Sequence, residues 1–241
     1  MQKTNCPITN SLKLIGGKWK IAIIYNLIKG PTRFGELKKA LTPITQQMLT
    51  KQLRELEDDD VSRYAFKAMT TWGDVNDFKH YLPRIFELAA TRKLIVDTSV
   101  ILGKLDYGNW NEWESDEQNS IQKFLKAWWK YDINNATYFD SEILIELNKR
   151  IQDLPTMLND WNVSVESQGF KNYVDFVESY YPELKGKNKS FKEFSQDEIE
   201  TLINWIESNS GQLEEGFFKY DSEDEEFSKT ISDTLYMFER V

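Results

Sequence analysis

Cysteine and histidine are almost missing from this chain of 241 residues: Cys6 and His80 stand alone. A single cysteine excludes an internal disulfide and fits a reducing cytoplasm. A single histidine excludes His-rich metal sites, and histidine-based catalysis anywhere but around residue 80. No apolar run approaches the roughly 18 residues of a membrane span. The longest, IAIIYNLI at 21–28, is flanked by Lys20 and Lys29. The opening MQKTNCPITN has no apolar stretch or cleavage site of a signal peptide, so the expectation is a cytoplasmic protein without a membrane partner. GxSxG, HExxH, P-loop and GxGxxG strings are all missing. The chain is therefore read as no enzyme, with no catalytic residue, no cofactor and no metal site.

Two features that invite a chemical reading have plainer ones. His80 lies in DFKHYLPR near Asp77, but a general base needs a positioned partner and a pocket, and His80 is read as an ordinary side chain. The acidic run Asp221-Ser222-Glu223-Asp224-Glu225-Glu226 lacks the central glycine and alternating ligands of a calcium loop. Acidic residues at a helix N-terminus favour its dipole, and that suffices.

What is present is charge of two signs, kept apart. Residues 1–57 hold ten cations (Lys3, Lys13, Lys18, Lys20, Lys29, Arg33, Lys38, Lys39, Lys51 and Arg54) against Glu36, Glu55 and Glu57, a balance of +7. With −9 overall, residues 58–241 carry −16. Composition, 40% hydrophobic and 14% aromatic, excludes a mainly disordered chain. The basic part suits a polyanion, because Lys and Arg that neutralise phosphate supply most non-specific affinity for nucleic acid.

Apolar spacing in the basic part predicts four helices. Ile8, Leu12 and Ile15 form the inner stripe of the first, which ends at Gly16-Gly17. Residues 19–29 form a second, apolar on most of its circumference and so buried, stopped by Gly30-Pro31. Phe34, Leu37 and Leu41 line the third, ended by Pro43. The fourth runs from about Thr45 to Glu57, with Met48, Leu49, Leu53 and Leu56 inward and Gln46, Gln47, Thr50, Lys51 and Arg54 outward. Two short helices joined by a tight turn, the second polar at its outer N-terminal end, have the shape of a helix-turn-helix.

The strings LIGGKWK, RFGEL at 33–37 and ITQQMLTKQLRELE at 44–57, with Cys6-Pro7 ahead of them, resemble the HxlR-type winged-helix transcriptional regulators. The resemblance covers residues 5–60, about a quarter of the chain. It implies a DNA-binding regulator that acts as a homodimer on near-palindromic duplex DNA. It also implies that Cys6, in front of a helix and near Lys3, senses oxidants or electrophiles, since a thiolate is the reactive form. After LRELEDD the family continues with a glycine, a strand, a hairpin wing and a dimerising helix. This chain reads DVSRYAFKAMTTWG instead, in which Val61 to Tyr64 imitate a first wing strand with no partner. The stretch from AFKAMTTWG to LPRIFEL loosely resembles the opening of an uncharacterised family of small, all-helical bacterial proteins. A gene fusion near residue 58 is one source of such a join.

The second half repeats amphipathic helices between polar turns, without a fixed period. Pro83 is placed first in a helix through Arg92, with Ile85, Phe86, Leu88 and Ala89 inward. Ser115 with Gln118 forms a capping-box pattern before Ile121, Phe124, Leu125, Trp128 and Trp129. Asp140 caps a helix with Ile143, Leu144, Leu147, Ile151 and Leu154, stopped by Pro155. Ser195 with Glu198 caps another, carrying Ile199, Leu202, Ile203 and Ile206; Phe227, Ile231, Leu235 and Phe238 mark the last. KGKNKS at 185–190 is a loop. Trp19, Trp128, Trp129 and the other tryptophans are read as core, because large aromatics dominate core energetics.

The fold expected is therefore mainly α: an N-terminal helix-turn-helix of winged-helix type over 1–60, its wing missing or incomplete, and an acidic all-helical domain over 61–241. Gln46, Gln47, Thr50, Lys51 and Arg54 are the candidate base readers, since Gln matches the N6 and N7 edge of adenine and Arg or Lys matches guanine. Lys18, Lys20, Arg33, Lys38, Lys39 and Thr45 are the candidate phosphate contacts, which set register without reading sequence. The alternative reading is an acidic helical interaction module, with a protein partner for residues 61–241, fused to a truncated helix-turn-helix inactive toward DNA.

Overall fold

The computed structural model describes residues 19–27, 34–70, 73–94, 96–186 and 189–240, and within these all side chains but those at 20, 21, 24, 27, 54–60, 63–64 and 239–240. The helix expected around Ile8, Leu12 and Ile15 lies outside the described residues. Helices and turns account for the described chain, and no β-strand occurs among these residues. No described helix is long and apolar enough to cross a membrane. Two compact units divide between Lys104 and Leu105.

In the first unit α1 (Lys20–Leu27), α2 (Phe34–Ala40) and α3 (Gln46–Lys67) pack against one another. Their shared core is Ile23, Leu37, Leu41, Ile44 and Leu49, with Trp19, Ala22 and Leu53 partly buried against it. Phe34, expected inside with Leu37 and Leu41, is exposed instead. It is the first residue of α2, three residues short of the buried Leu37, where the helix has not yet reached the core.

α3 does not stop near Glu57. It runs ten residues further, through the expected join near residue 58, to Lys67. Val61 to Tyr64, whose spacing imitated a wing strand, are thus helical, with Val61 and Ala65 buried four residues apart on one face. The helix ends at Ala68, whose carbonyl accepts a hydrogen bond from the Lys104 ammonium at 2.9 Å; Thr70 Oγ1 accepts another at 3.3 Å. A cation on the last carbonyls of a helix satisfies orphan acceptors and its dipole together. Lys104 belongs to α5 (Thr98–Tyr107) and is itself buried, which lowers its pKa by desolvation.

Between them α4 (Val75–Ala90) begins eight residues before Pro83, not at it. Asp74 is the N-cap, accepting from Asn76 N and Asp77 N, while Asp77 accepts from Asp74 N at 3.1 Å, a complete capping box. This occupies the Asp77 carboxylate, and the exposed His80 ring makes an edge contact with Tyr81, 5.0 Å between centroids. Pro83 sits exposed inside the helix and removes one i to i−4 bond. Burial of Phe78 and Leu82 before it and Ile85, Phe86 and Leu88 after it holds the helix together.

The second unit is built from α6 (Ser115–Asn135), α7 (Ser141–Ile151), α8 (Leu154–Asn159), α9 (Gln168–Lys185), α10 (Gln196–Ser208), α11 (Gly211–Tyr220) and α12 (Glu225–Arg240). α9 touches α6, α10 and α12, and α11 pairs with α12. Asp140 and the Ser195–Glu198 box cap α7 and α10 as their sequences predict. Two signals are displaced. The box of α6 is Glu114 with Glu117, one residue before the Ser115 pair, and Gln118 instead donates to the Trp113 carbonyl at 2.7 Å. Pro155 does not end α7. That helix closes at Gln152 in the left-handed region, and Pro155 falls in the first turn of α8, where its missing N–H costs nothing. The acidic run at 221–226 is exposed and leads into α12, with Asp224 accepting from Phe227 N.

Aromatic rings fill this unit. Trp113, Trp128, Trp129 and Trp161 are buried. Phe139 stacks on Trp161 at 5.6 Å, and Trp129 and Trp205 meet the same indole at 5.8 and 4.9 Å. The Trp161 N–H donates to the Gly169 carbonyl at 2.8 Å. Gly169 lies at the start of α9, where a β-carbon would sit 2.2 Å from the Asn162 carbonyl oxygen and 2.8 Å from Asn134 Oδ1. Asn134 is itself held, accepting from Asn162 N at 2.8 Å and donating to the Asp160 carbonyl at 2.9 Å. Gly169→Ala should therefore cost about 3 kcal/mol, despite a gain near 1 kcal/mol in helix propensity, because the obstacle is backbone. A urea midpoint unchanged by this substitution would refute the close approach.

Candidate nucleic-acid interface

The turn between α2 and α3 is built by burial on both sides of an exposed bend. Leu41 and Ile44 point into the core while Thr42 and Pro43 between them face out. Ile44 N donates to the Leu41 carbonyl at 2.9 Å, and Thr42 Oγ1 donates to the Lys39 carbonyl at 2.9 Å. Thr45 then stands extended (φ −77°, ψ 156°) as the N-cap of α3, its hydroxyl oxygen accepting from Met48 N at 3.1 Å. This satisfies one of the four orphan N–H groups and sets the start of α3 to the residue.

The core beneath decides which way α3 faces. Leu49 is fully buried, Gln52 is 8% exposed, and Leu53 packs against the cluster, so the inner arc passes through 49, 52 and 53. Gln47 and Lys51 fall on the opposite arc and Met48 on its flank beside Gln52, all three exposed. Gln46 is exposed in the first turn, while Thr50 is half-buried at the edge toward the core. Met48, expected inward, is instead 41% exposed. The signal that finds it is the i, i+4 stripe of Leu49 and Leu53, from which position 48 is displaced by about 100°.

Lys38 and Lys39 close α2, Lys39 exposed and Lys38 half-buried, next to the turn. Thr45 is in the same turn. Lys20 opens α1 and Arg54 lies in α3, but their side chains are outside the described residues, as are Lys18, Arg33 and Cys6 altogether. The structure thus brings together Lys38, Lys39, Thr45, Gln46, Gln47 and Lys51 on one turn and the two helix ends flanking it. No group of acidic, Cys or His side chains able to hold a metal occurs among the described residues.

The helix order, the tight turn and the capped second helix have a counterpart in known proteins. Residues 14–74 match the HxlR-like helix-turn-helix family. The HxlR-like segment includes α1, α2 and all of α3, and the match does not continue beyond residue 74. The uncharacterized HTH-type transcriptional regulators YdeP and YybR of Bacillus subtilis (strain 168) are 55% identical over 56 residues and 49% identical over 59. These alignments cover 23% and 24% of this chain, and 44% and 47% of the relatives. The putative regulatory protein MalR of Fusobacterium mortiferum is 47% identical over 60 residues, 24% of this chain and 57% of its own. The chain therefore spans about half the length of the curated relatives it matches. No solved structure matches it.

Proposed function

We propose that this protein is a DNA-binding transcriptional regulator whose helix α3 reads the major groove of duplex DNA. The observation that carries the proposal is the Thr45-capped start of α3, which presents an exposed polar turn beside the Lys38–Lys39 pair inside the HxlR-like segment. Gln46, Gln47, Thr50, Lys51 and Arg54 are the base readers, with Gln47 and Lys51 the most outward of those described. Lys18, Lys20, Arg33, Lys38, Lys39 and Thr45 meet phosphate; Thr45 keeps its hydroxyl hydrogen for this purpose, because the cap uses only its oxygen as acceptor. The regulator works in the cytoplasm as a homodimer, and Cys6 makes it responsive to oxidants or electrophiles. With no strand among the described residues to form a wing, phosphate contacts come from the helix-turn-helix. Residues 61–241 then supply dimerisation or a protein partner.

Random-sequence DNA selection with the full chain at low salt tests this. One sequence class is expected to be enriched, and Gln47→Ala should relax preference at one base pair per half-site, by about 1–3 kcal/mol of discrimination. Failure to enrich any sequence, with only weak or no duplex binding, would sink the proposal. The acidic interaction module with a DNA-inactive helix-turn-helix would then be the better reading.

A further inference from the structure

Along the exposed surface of the first two turns of α3 one apolar residue stands among polar ones. Met48 is 41% exposed, on the flank of the helix about 100° from the buried Leu49, with exposed Lys51 beside it toward the outward side. Its backbone N–H is spent on Thr45, which pins this turn, while its side chain projects from the first turn of the helix. A flexible thioether chain on the leading edge of a reading helix has one apolar target in a major groove: the C5-methyl group of thymine. It is the largest apolar group that any base edge presents there.

We propose that Met48 is a specificity-determining residue that reads a thymine methyl group, adjacent to the base pair read by Gln47. The inference rests on α3 being the reading helix and goes beyond it by naming the base. The arc observed in the fold, Gln47–Met48–Lys51, differs from an arc centred on Gln46, Thr50 and Arg54, so the thymine contact distinguishes the two orientations. Burial of one methyl group is worth about 0.8 kcal/mol, which corresponds to roughly a fourfold change in affinity.

The test uses the full chain and the duplex enriched by selection, with each thymine replaced in turn by deoxyuridine, which lacks only the methyl. One thymine per half-site should show about a fourfold loss on replacement. With Met48→Ala that same replacement should change nothing, and Met48→Leu should restore part of the effect. Circular dichroism and the unchanged salt slope of both variants show that α3 is still folded and docked. A duplex that is enriched and bound, but on which no deoxyuridine effect depends on residue 48, overturns this inference and leaves the reading helix standing. Lack of any enriched duplex overturns the reading helix itself, and this inference with it.

Discussion

Between about 50 and 200 mM salt the full chain is expected to lose roughly 500-fold in affinity for duplex DNA, for each protomer engaged. The figure follows from five cations assigned to phosphate: Lys18, Lys20, Arg33, Lys38 and Lys39. Each releases condensed counterion, and together they give a slope near −4.5 in log affinity against log salt. Lys38 and Lys39 are the two whose positions are described, at the end of α2 and beside the turn. Replacing both with alanine should flatten the slope to about −2.7 while leaving the preferred sequence unchanged. Loss of sequence preference with an unchanged slope would show that these lysines are not phosphate contacts. The contrast with Gln47→Ala matters, because a base reader should move specificity and not the slope. Filter binding or fluorescence anisotropy across a salt series measures both quantities on the same samples.

Trp129→Ala is expected to destabilise the second unit by about 5 kcal/mol. Trp129 is 1% exposed, lies edge-on to Trp161, and donates its indole N–H to the Met157 carbonyl at 2.7 Å. Truncation opens a cavity of indole size and also leaves a buried carbonyl without its donor; the first effect costs about 3–5 kcal/mol and the second about 1–3 kcal/mol, with partial relaxation between them. Trp129→Phe fills most of the space and should cost about 2 kcal/mol, close to the hydrogen bond alone. A native domain has about 5–15 kcal/mol in total, so the alanine variant should unfold early in urea. A loss below about 2 kcal/mol for alanine would mean that the ring cluster around Trp161 does not hold this unit together.

Much of the candidate site was legible because its signals are local. Asp140 and the Ser195–Glu198 pair cap their helices by accepting from N–H groups two or three residues on. Thr45, which the pattern marks only as the approximate start of a helix, caps α3 in the same way, and a capping side chain reaches no further than that. The stripe of Leu37 and Leu41, ended by Pro43, and the stripe of Leu49 and Leu53 bracket the turn, and the structure adds Ile44 to their core. Where local signals compete, the pattern misled. Glu114–Glu117 and Ser115–Gln118 are overlapping boxes, and the Gln118 amide is spent on the Trp113 carbonyl instead of on Ser115. The local pattern marks Pro83 as a first helical residue and Pro155 as a stop. Both are tolerated elsewhere, because burial on either side of Pro83 and the free first turn around Pro155 remove the usual cost.

By itself, then, the sequence determined the helical class, the opposed charges of the two ends, the helix-turn-helix and approximately where its second helix begins. All of these follow from side chains acting within a few residues of one another. Only the tertiary structure decided how far α3 extends and which way it faces. Its length depends on Lys104, 36 residues beyond Ala68, supplying the terminal cap. Its rotation depends on which side of Leu49 the core of α1 and α2 occupies, and that side buries Gln52 and turns Met48 outward. A period of 3.6 residues defines a stripe, but several adjacent arcs fit one stripe nearly equally well. The choice among them is made by contacts between helices distant in the chain.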